Sequence, residues 1–220
     1  MQVDLMEFWP RILQATNETL LMVGISLLAA TIIGLPLGIS LVVTRSGGLL
    51  ENKAFFRILN SVVNFFRSIP FIILLVAILP LTRLIVGTSI GTAAAVVPLV
   101  IFSAPYIARL VESSLLEVKS GVIEAAEAMG ATPWQIIFRV YIPEALSSMV
   151  LNLTIATIGL VGASAMAGFV GGGGLGDLAI AYGYQRFETD IMIATVLLLV
   201  LIVQITQTIG NILSKRIRRQ

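Results

Sequence analysis

Charged residues in this chain are clustered, and the apolar stretches between the clusters set its architecture. Residues 20–43, 84–108, 146–169 and 191–213 carry no charge, and each exceeds the roughly 20 apolar residues a helix needs to cross a bilayer. A fifth apolar stretch is interrupted by Arg67. A span over 61–81 accommodates it, with Arg67 just inside one end. The pattern predicts an all-α membrane protein of five transmembrane helices, with its termini on opposite sides. Prolines 36, 70, 80, 98 and 105 fall in or beside these spans. Each removes a backbone donor, so breaks are expected there. In the fourth span Gly159, Ala163 and Ala167 recur every four residues, beside Ser164 and Gly168. Small residues at that spacing let a second backbone approach closely. They fit either packing within one subunit or a seam against a second copy, lining a pathway.

Composition agrees with a bilayer and narrows the chemistry. The 220 residues are 57% hydrophobic and 12% charged, where soluble chains carry about a quarter charged residues. A net charge of +2 gives no basis for a nucleic-acid partner. Cysteine and histidine are both absent, which excludes disulfides, thiol nucleophiles and imidazole metal sites or proton relays. There is no cluster of metal ligands. The opening "MQVDLMEFWP" lacks the basic region of a cleavable signal and reads as part of the mature protein.

The basic residues set the orientation. Arg45, Lys53, Arg57, Arg109, Lys119, Arg139 and the terminal Lys215, Arg216, Arg218 and Arg219 belong to one set of segments; Arg11, Arg83 and Arg186 belong to the other. By the positive-inside rule the first set is cytoplasmic. The N-terminus is then outside, the C-terminus inside, and residues 117–145 form a cytoplasmic loop. The terminal basic group would anchor the last span against anionic headgroups.

That loop contains "EAAEAMGATPWQIIFRVYIPEA", Glu124 to Ala145. Glu124 to Met129 favour a short helix, which Gly130 can end in a left-handed conformation. Thr132 can cap a second helix, with Pro133 at its first position and Gln135 completing a capping box. That helix is expected to run through Trp134 to Tyr141, with Pro143 resetting the chain before the fourth span. By these features alone, the segment fits an amphipathic interfacial loop as well as a surface for a partner.

The spacing of Glu124-Ala125-Ala126, Gly130 and Val140-Tyr141-Ile142-Pro143 resembles the EAA loop of ABC importer permeases, with Val140 and Ile142 replacing the usual Ile and Leu. The stretches "NFFRSIPFIILL" and "GFVGGGGLGDLAIAYGYQRF" resemble the methionine-importer branch. The resemblance implies a type I ABC importer permease fold over residues 1–220 as a single domain. It also implies a coupling function for Glu124, Ala125, Ala126, Gly130, Val140, Ile142 and Pro143, which would seat in a cleft of a separate ATPase. The implied partners are a second copy of the chain as a homodimer, two cytoplasmic ATPase subunits and an external substrate-binding protein or lipoprotein, in the lipid of a bacterial cytoplasmic (inner) membrane. ATP and magnesium would sit on the ATPase, and this chain would bind no cofactor. The cargo implied is methionine, with another amino acid or small organic solute as the alternative.

Other features bear on the pathway. Arg67 inside a membrane must face protein or water, or snorkel to the cytoplasmic interface. With Ser68 and Pro70 it forms one candidate pathway group, able to meet a substrate carboxylate. Gly159, Ala163 and Gly168 form another. The run "GGGGLGD", Gly171 to Asp177, has no lysine or Ser/Thr of a phosphate-binding loop after it. It reads as an outer turn, or as a gate whose amides line the entrance, with Asp177 as a helix cap or a docking point for an external partner. An ATP-independent secondary carrier is the rival class. Proton-coupled carriers use carboxylates or histidines within spans, and the predicted spans hold none. A membrane enzyme lacks a base or metal cluster to work with.

Overall fold

The computed structural model describes residues 5–218. All regular structure among them is helical, and contacts between helices fix their directions. The first helix, α1 (Leu5–Thr44), is followed by α2 (Lys53–Ser68), α3 (Phe71–Ala77), α4 (Leu79–Val86) and α5 (Thr92–Leu116). Two short helices, α6 (Ser120–Ala128) and α7 (Pro133–Ile136), precede the long α8 (Ile142–Ala167). A small α9 (Gly174–Leu178) leads to α10 (Thr189–Arg218). Four helical segments are long and apolar enough to cross a membrane, and a fifth span arises if α2 and α3 count as one broken helix.

Helices α1 and α5 lie parallel and touch backbone to backbone. A Cβ at Gly34 would stand 2.7 Å from the Ala104 carbonyl oxygen, and one at Gly38 would stand 2.6 Å from that of Ala108. This Gly-x-x-x-Gly pair lets α5 seat its buried Ile107 and Val111 against α1, the close approach that small residues at that spacing permit. Helix α8 runs antiparallel to α5, joined by Asn152 Nδ2 donating to the Ser114 hydroxyl at 2.8 Å. Helix α10 returns along α8, with the Ser147 and Ser214 hydroxyls 2.8 Å apart. The C-terminal ends of α1, α5 and α10 therefore gather with the start of α8 at one end of the bundle. The glycine turn 171–174 and the start of α5 lie at the other. The core is a strip of buried apolar residues along α1, α5 and α8, including Met22, Leu99, Ile107 and Leu160.

Several expected boundaries move. The second apolar segment starts earlier than 61, and the break expected at Pro70 is present. Helix α2 starts at Lys53 and turns by 98° into α3. Ile69 between them is extended, at φ −83° and ψ 123°, which the following Pro70 enforces by disfavouring helical geometry before it. The third long helix begins at Thr92, not 84, because α4 ends separately at Gly87 in a left-handed conformation. It also runs on to Leu116, so Arg109 and Glu112 lie inside a helix expected to be free of charge. Likewise α1 carries Arg11 and Glu18. Prolines 36, 98 and 105 sit within unbroken helices. Arg219 of the basic terminal group lies outside the described residues.

Candidate functional site

The loop between α5 and α8 is a joint built from two complementary caps. Helix α6 ends at Gly130, φ +79°, where the chain turns sharply. The Gly130 N–H donates to the Glu127 carbonyl at 2.8 Å and the Ala131 N–H to that of Ala126 at 3.1 Å. These paired reverse bonds satisfy carbonyls the helix leaves open. Two residues later the next helix starts as its sequence predicts. Thr132 Oγ1 accepts from the Gln135 N–H, and Gln135 Oε1 accepts from the Thr132 N–H at 2.8 Å, with Pro133 in the first turn. Ala126 is buried, whereas Glu124, Ala125 and Ala128 face outward. Met129 is 82% exposed and Trp134 66% exposed, the latter stacked on Phe138.

Pro143 does not reset the chain, contrary to the sequence expectation. The helix from Pro133 continues through Val140 and Ile142 to Val170 as one 38-residue segment. It does so through a wide turn over Ile137–Tyr141, in which the Ile142 N–H bonds the Ile137 carbonyl five residues back. A proline ring normally clashes with the preceding turn of an α-helix; the widened turn opens the ladder just ahead of Pro143. The result is a π-bulge, a feature common at functional sites.

The candidate pathway residues meet at a second place. Arg67, Ser68 and Pro70, at the α2–α3 break, line an open groove of about 510 Å³ with Phe102, Gly159 and Met166. Arg67 lies in the last turn of α2, fourteen residues beyond Lys53, or about 21 Å along the axis at 1.5 Å per residue. It therefore sits well away from the α2 start rather than near a span edge. The small-residue stripe of α8 divides between two roles. Ala163 and Ala167 are buried in the core, while a Cβ at Gly159 or Gly162 would meet nothing within 4 Å. The exposed face of α8 continues through Ile155 and Leu151 to a wider groove of about 750 Å³ beside Ser148 and Glu144. One helix thus carries an uncovered stripe between the two grooves.

The glycine turn is packed, not loose. Gly168 and Gly176 bring the end of α8 against α9 so closely that neither has room for a side chain. The start of α9 is capped from α1: Glu18 Oε2 accepts from the Gly174 N–H and Thr19 Oγ1 from the Leu175 N–H, both at 2.8 Å. Asp177, the expected cap, lies within the helix instead. Burial raises its carboxyl above the ordinary aspartate range, and the nearby Glu18 carboxylate adds to the effect.

Sequence reading also missed a polar clamp. Arg109 donates to Asn60 and Asn64 of α2, the latter at 2.8 Å, and pairs with Glu112 at 2.5 Å. Glu112 is only 8% exposed, a burial a carboxylate tolerates when paired and hydrogen-bonded. Two carboxylates inside long helices are thus engaged, Glu112 by Arg109 and Glu18 by the α9 cap.

Known proteins resemble the chain in both sequence and fold. Residues 34–219 match the family model described as the inner membrane component of binding-protein-dependent transport systems. A probable D-methionine transport system permease protein MetI of Vibrio cholerae is 53% identical over 206 residues, covering 94% of this chain and 92% of that protein. The methionine import system permease protein MetP of Bacillus subtilis is 46% identical over 218 residues, covering 99% and 96%. Among solved structures, a chain of the MetNI methionine ABC transporter in an inward-facing conformation matches with a TM-score of 0.94 at 47% identity, covering 96% and 98%. An amino acid ABC transporter shares the fold at a TM-score of 0.79 and 21% identity. On sequence and fold together, the chain belongs to the inner membrane components of binding-protein-dependent transport systems.

Proposed function

We propose that this chain is the membrane-spanning subunit of an ATP-driven methionine importer, working as a homodimer with two cytoplasmic ATPase subunits and an external substrate-binding protein. The observation that carries the reading is the α6–α7 joint, whose exposed Glu124, Ala125 and Met129 face outward at one end of the bundle. The joint is continuous with the long helix that walls both grooves. The end bearing it also carries Arg45, Lys53, Arg57, Lys119, Arg139, Lys215, Arg216 and Arg218; the opposite end carries Arg11, Arg83 and Arg186. That bias supports a cytoplasmic joint and C-terminus, with the N-terminus outside. ATP and magnesium belong to the partner ATPase.

In this reading, ATP binding draws the two ATPases together and their seated joints with them. The α8 helices of the two copies then shift against one another, opening the pathway outward, and hydrolysis resets it inward. Such a change is a rigid-body motion across a subunit seam. Arg67 at the α2–α3 break meets the substrate carboxylate in passage, and Gly159 and Gly162 leave room for it on α8. Methionine is favoured as cargo because relatives 46–53% identical over nearly the whole chain carry that name. ATP-dependent uptake of labelled methionine into vesicles holding the assembled transporter tests the reading. Gly130→Val is expected to insert normally and to lose at least about tenfold in uptake; unchanged uptake would sink the joint.

A further inference from the structure

At the end of the bundle remote from the joint, α1, the start of α5 and the glycine turn enclose an open pocket of about 300 Å³. That lies at the lower limit for small-molecule sites, a size suited to a single small solute. Its walls carry both signs of charge: Arg11 on one hand, Glu18 and Asp177 on the other, with Gln14 and Tyr182 between. Among the residues whose side chains are described the ion pairs are Glu51–Lys53 and Arg109–Glu112, and neither Arg11 nor Asp177 enters one of them.

The two groups are held ready in different ways. Arg11 Nη1 donates to the Tyr182 hydroxyl at 2.5 Å, and the guanidinium lies 5.1 Å from the Phe8 ring centroid and 5.7 Å from that of Tyr182. Aromatic contacts of this kind orient an arginine, whose guanidinium carries four further N–H donors. Glu18 is committed, accepting from Gln14 at 2.9 Å and from the Gly174 N–H. Asp177 makes no such side-chain hydrogen bond among the described residues, and burial, with the neighbouring Glu18 carboxylate, raises its carboxyl.

We propose that this pocket is an entry site for a free amino acid zwitterion, Arg11 receiving the carboxylate and Asp177 the ammonium, with Glu18 adding to the field that attracts the ammonium. The site's place in transport rests on the orientation proposed above; its binding does not. It would offer the substrate a resting place on the permease itself, distinct from the Arg67 groove.

The test uses the assembled transporter in lipid nanodiscs, without its external binding protein, and equilibrium dialysis against labelled methionine. Two analogues compete: 3-(methylthio)propylamine, which lacks the carboxylate, and 4-(methylthio)butanoate, which lacks the ammonium. Saturable methionine binding is expected, with each analogue at least about tenfold weaker, as loss of one charged contact implies. Arg11→Gln and Asp177→Asn should each weaken binding by a similar factor, and Arg11→Lys by less. Melting curves on each variant confirm that the fold is kept. Absence of saturable binding would overturn the proposal. An amine analogue as tight as methionine would make this a cation site and do the same. So would binding lost in Arg67→Ala but untouched by Arg11→Gln, or variants that alter only uptake stimulated by the binding protein, which would mark a protein-docking surface. Uptake with the binding protein in the same membranes is read separately, so a failed pocket and a failed transport reading are told apart.

Discussion

Gly130 and Arg67 show how differently two residues of similar prominence can act. At Gly130 nothing stands within 4 Å of where a Cβ would project, so the cost of replacement is purely one of backbone. A side chain in the left-handed region costs roughly 1–2 kcal/mol, and a β-branched one is a genuine outlier there. At about 1.4 kcal/mol per factor of ten, that is enough to depopulate the turn, which is why Gly130→Ala should impair uptake less than Gly130→Val. Arg67 is the opposite case: its backbone is ordinary helix and its side chain faces an open groove. Arg67→Ala is expected to reduce methionine uptake about tenfold or more while the complex still assembles, as checked by co-purification of the ATPase. Full uptake by an assembled variant would remove Arg67 from the pathway. The sequence made the conformation of Gly130 legible because glycine before a Thr-Pro start has few uses. It marked a break at Pro70 beside Arg67 but not the sharpness of the turn, since hydropathy alone does not say how far a helix bends.

At the level of elements, the seam of α1 on α5 joins two long helices at backbone distance. Two glycines four residues apart put backbone against backbone, so the interface cannot relax around an added side chain. Gly38→Leu should overpack it by about 1–3 kcal/mol, lowering the melting temperature of the detergent-solubilised protein by several degrees. A melting curve that matches the wild type would mean that the seam is looser than its geometry implies. The signal for this contact was present in the sequence as Gly34-x-x-x-Gly38, the same spacing read in α8. Spacing alone does not say which stripe is covered: α8 buries Ala163 and leaves Gly159 bare. Proline was an equally ambiguous sign. Pro70 breaks a helix because Ile69 before it is extended, whereas Pro98 and Pro105 are buried in a continuous α5. Helix termini were easier to read where local chemistry decides them, as in the Thr132–Gln135 capping box, than where a partner helix does. Nothing near Gly174 in sequence announces that Glu18 and Thr19 will cap α9.

Across the whole molecule, the joint at one end and the glycine turn at the other are ends of the same helix. Its 38 residues span about 57 Å at 1.5 Å per residue, more than the roughly 30 Å of a bilayer's hydrocarbon core. Inserting two glycines between Ile137 and Tyr141 should leave the caps and the core in place but uncouple them. The expected result is ATP hydrolysis that persists while methionine uptake falls at least about tenfold; uptake that survives the insertion would show that continuity is dispensable. The sequence suggested a pause at Pro143 and so hid this connection.

The widened turn before Pro143 makes that helix a lever. A flexible link at this place would let the loop shift while the membrane segment stood still, and work done outside the bilayer would be lost as bending. A continuous rod pivoting near its middle converts a tilt of about 5° into roughly 2.5 Å of travel at each end, in opposite directions. Closing the distance between two such loops at the joint end would therefore spread the far ends apart by a comparable amount. Alternation of access would then follow from leverage, with no separate signal needed to carry the instruction across the membrane.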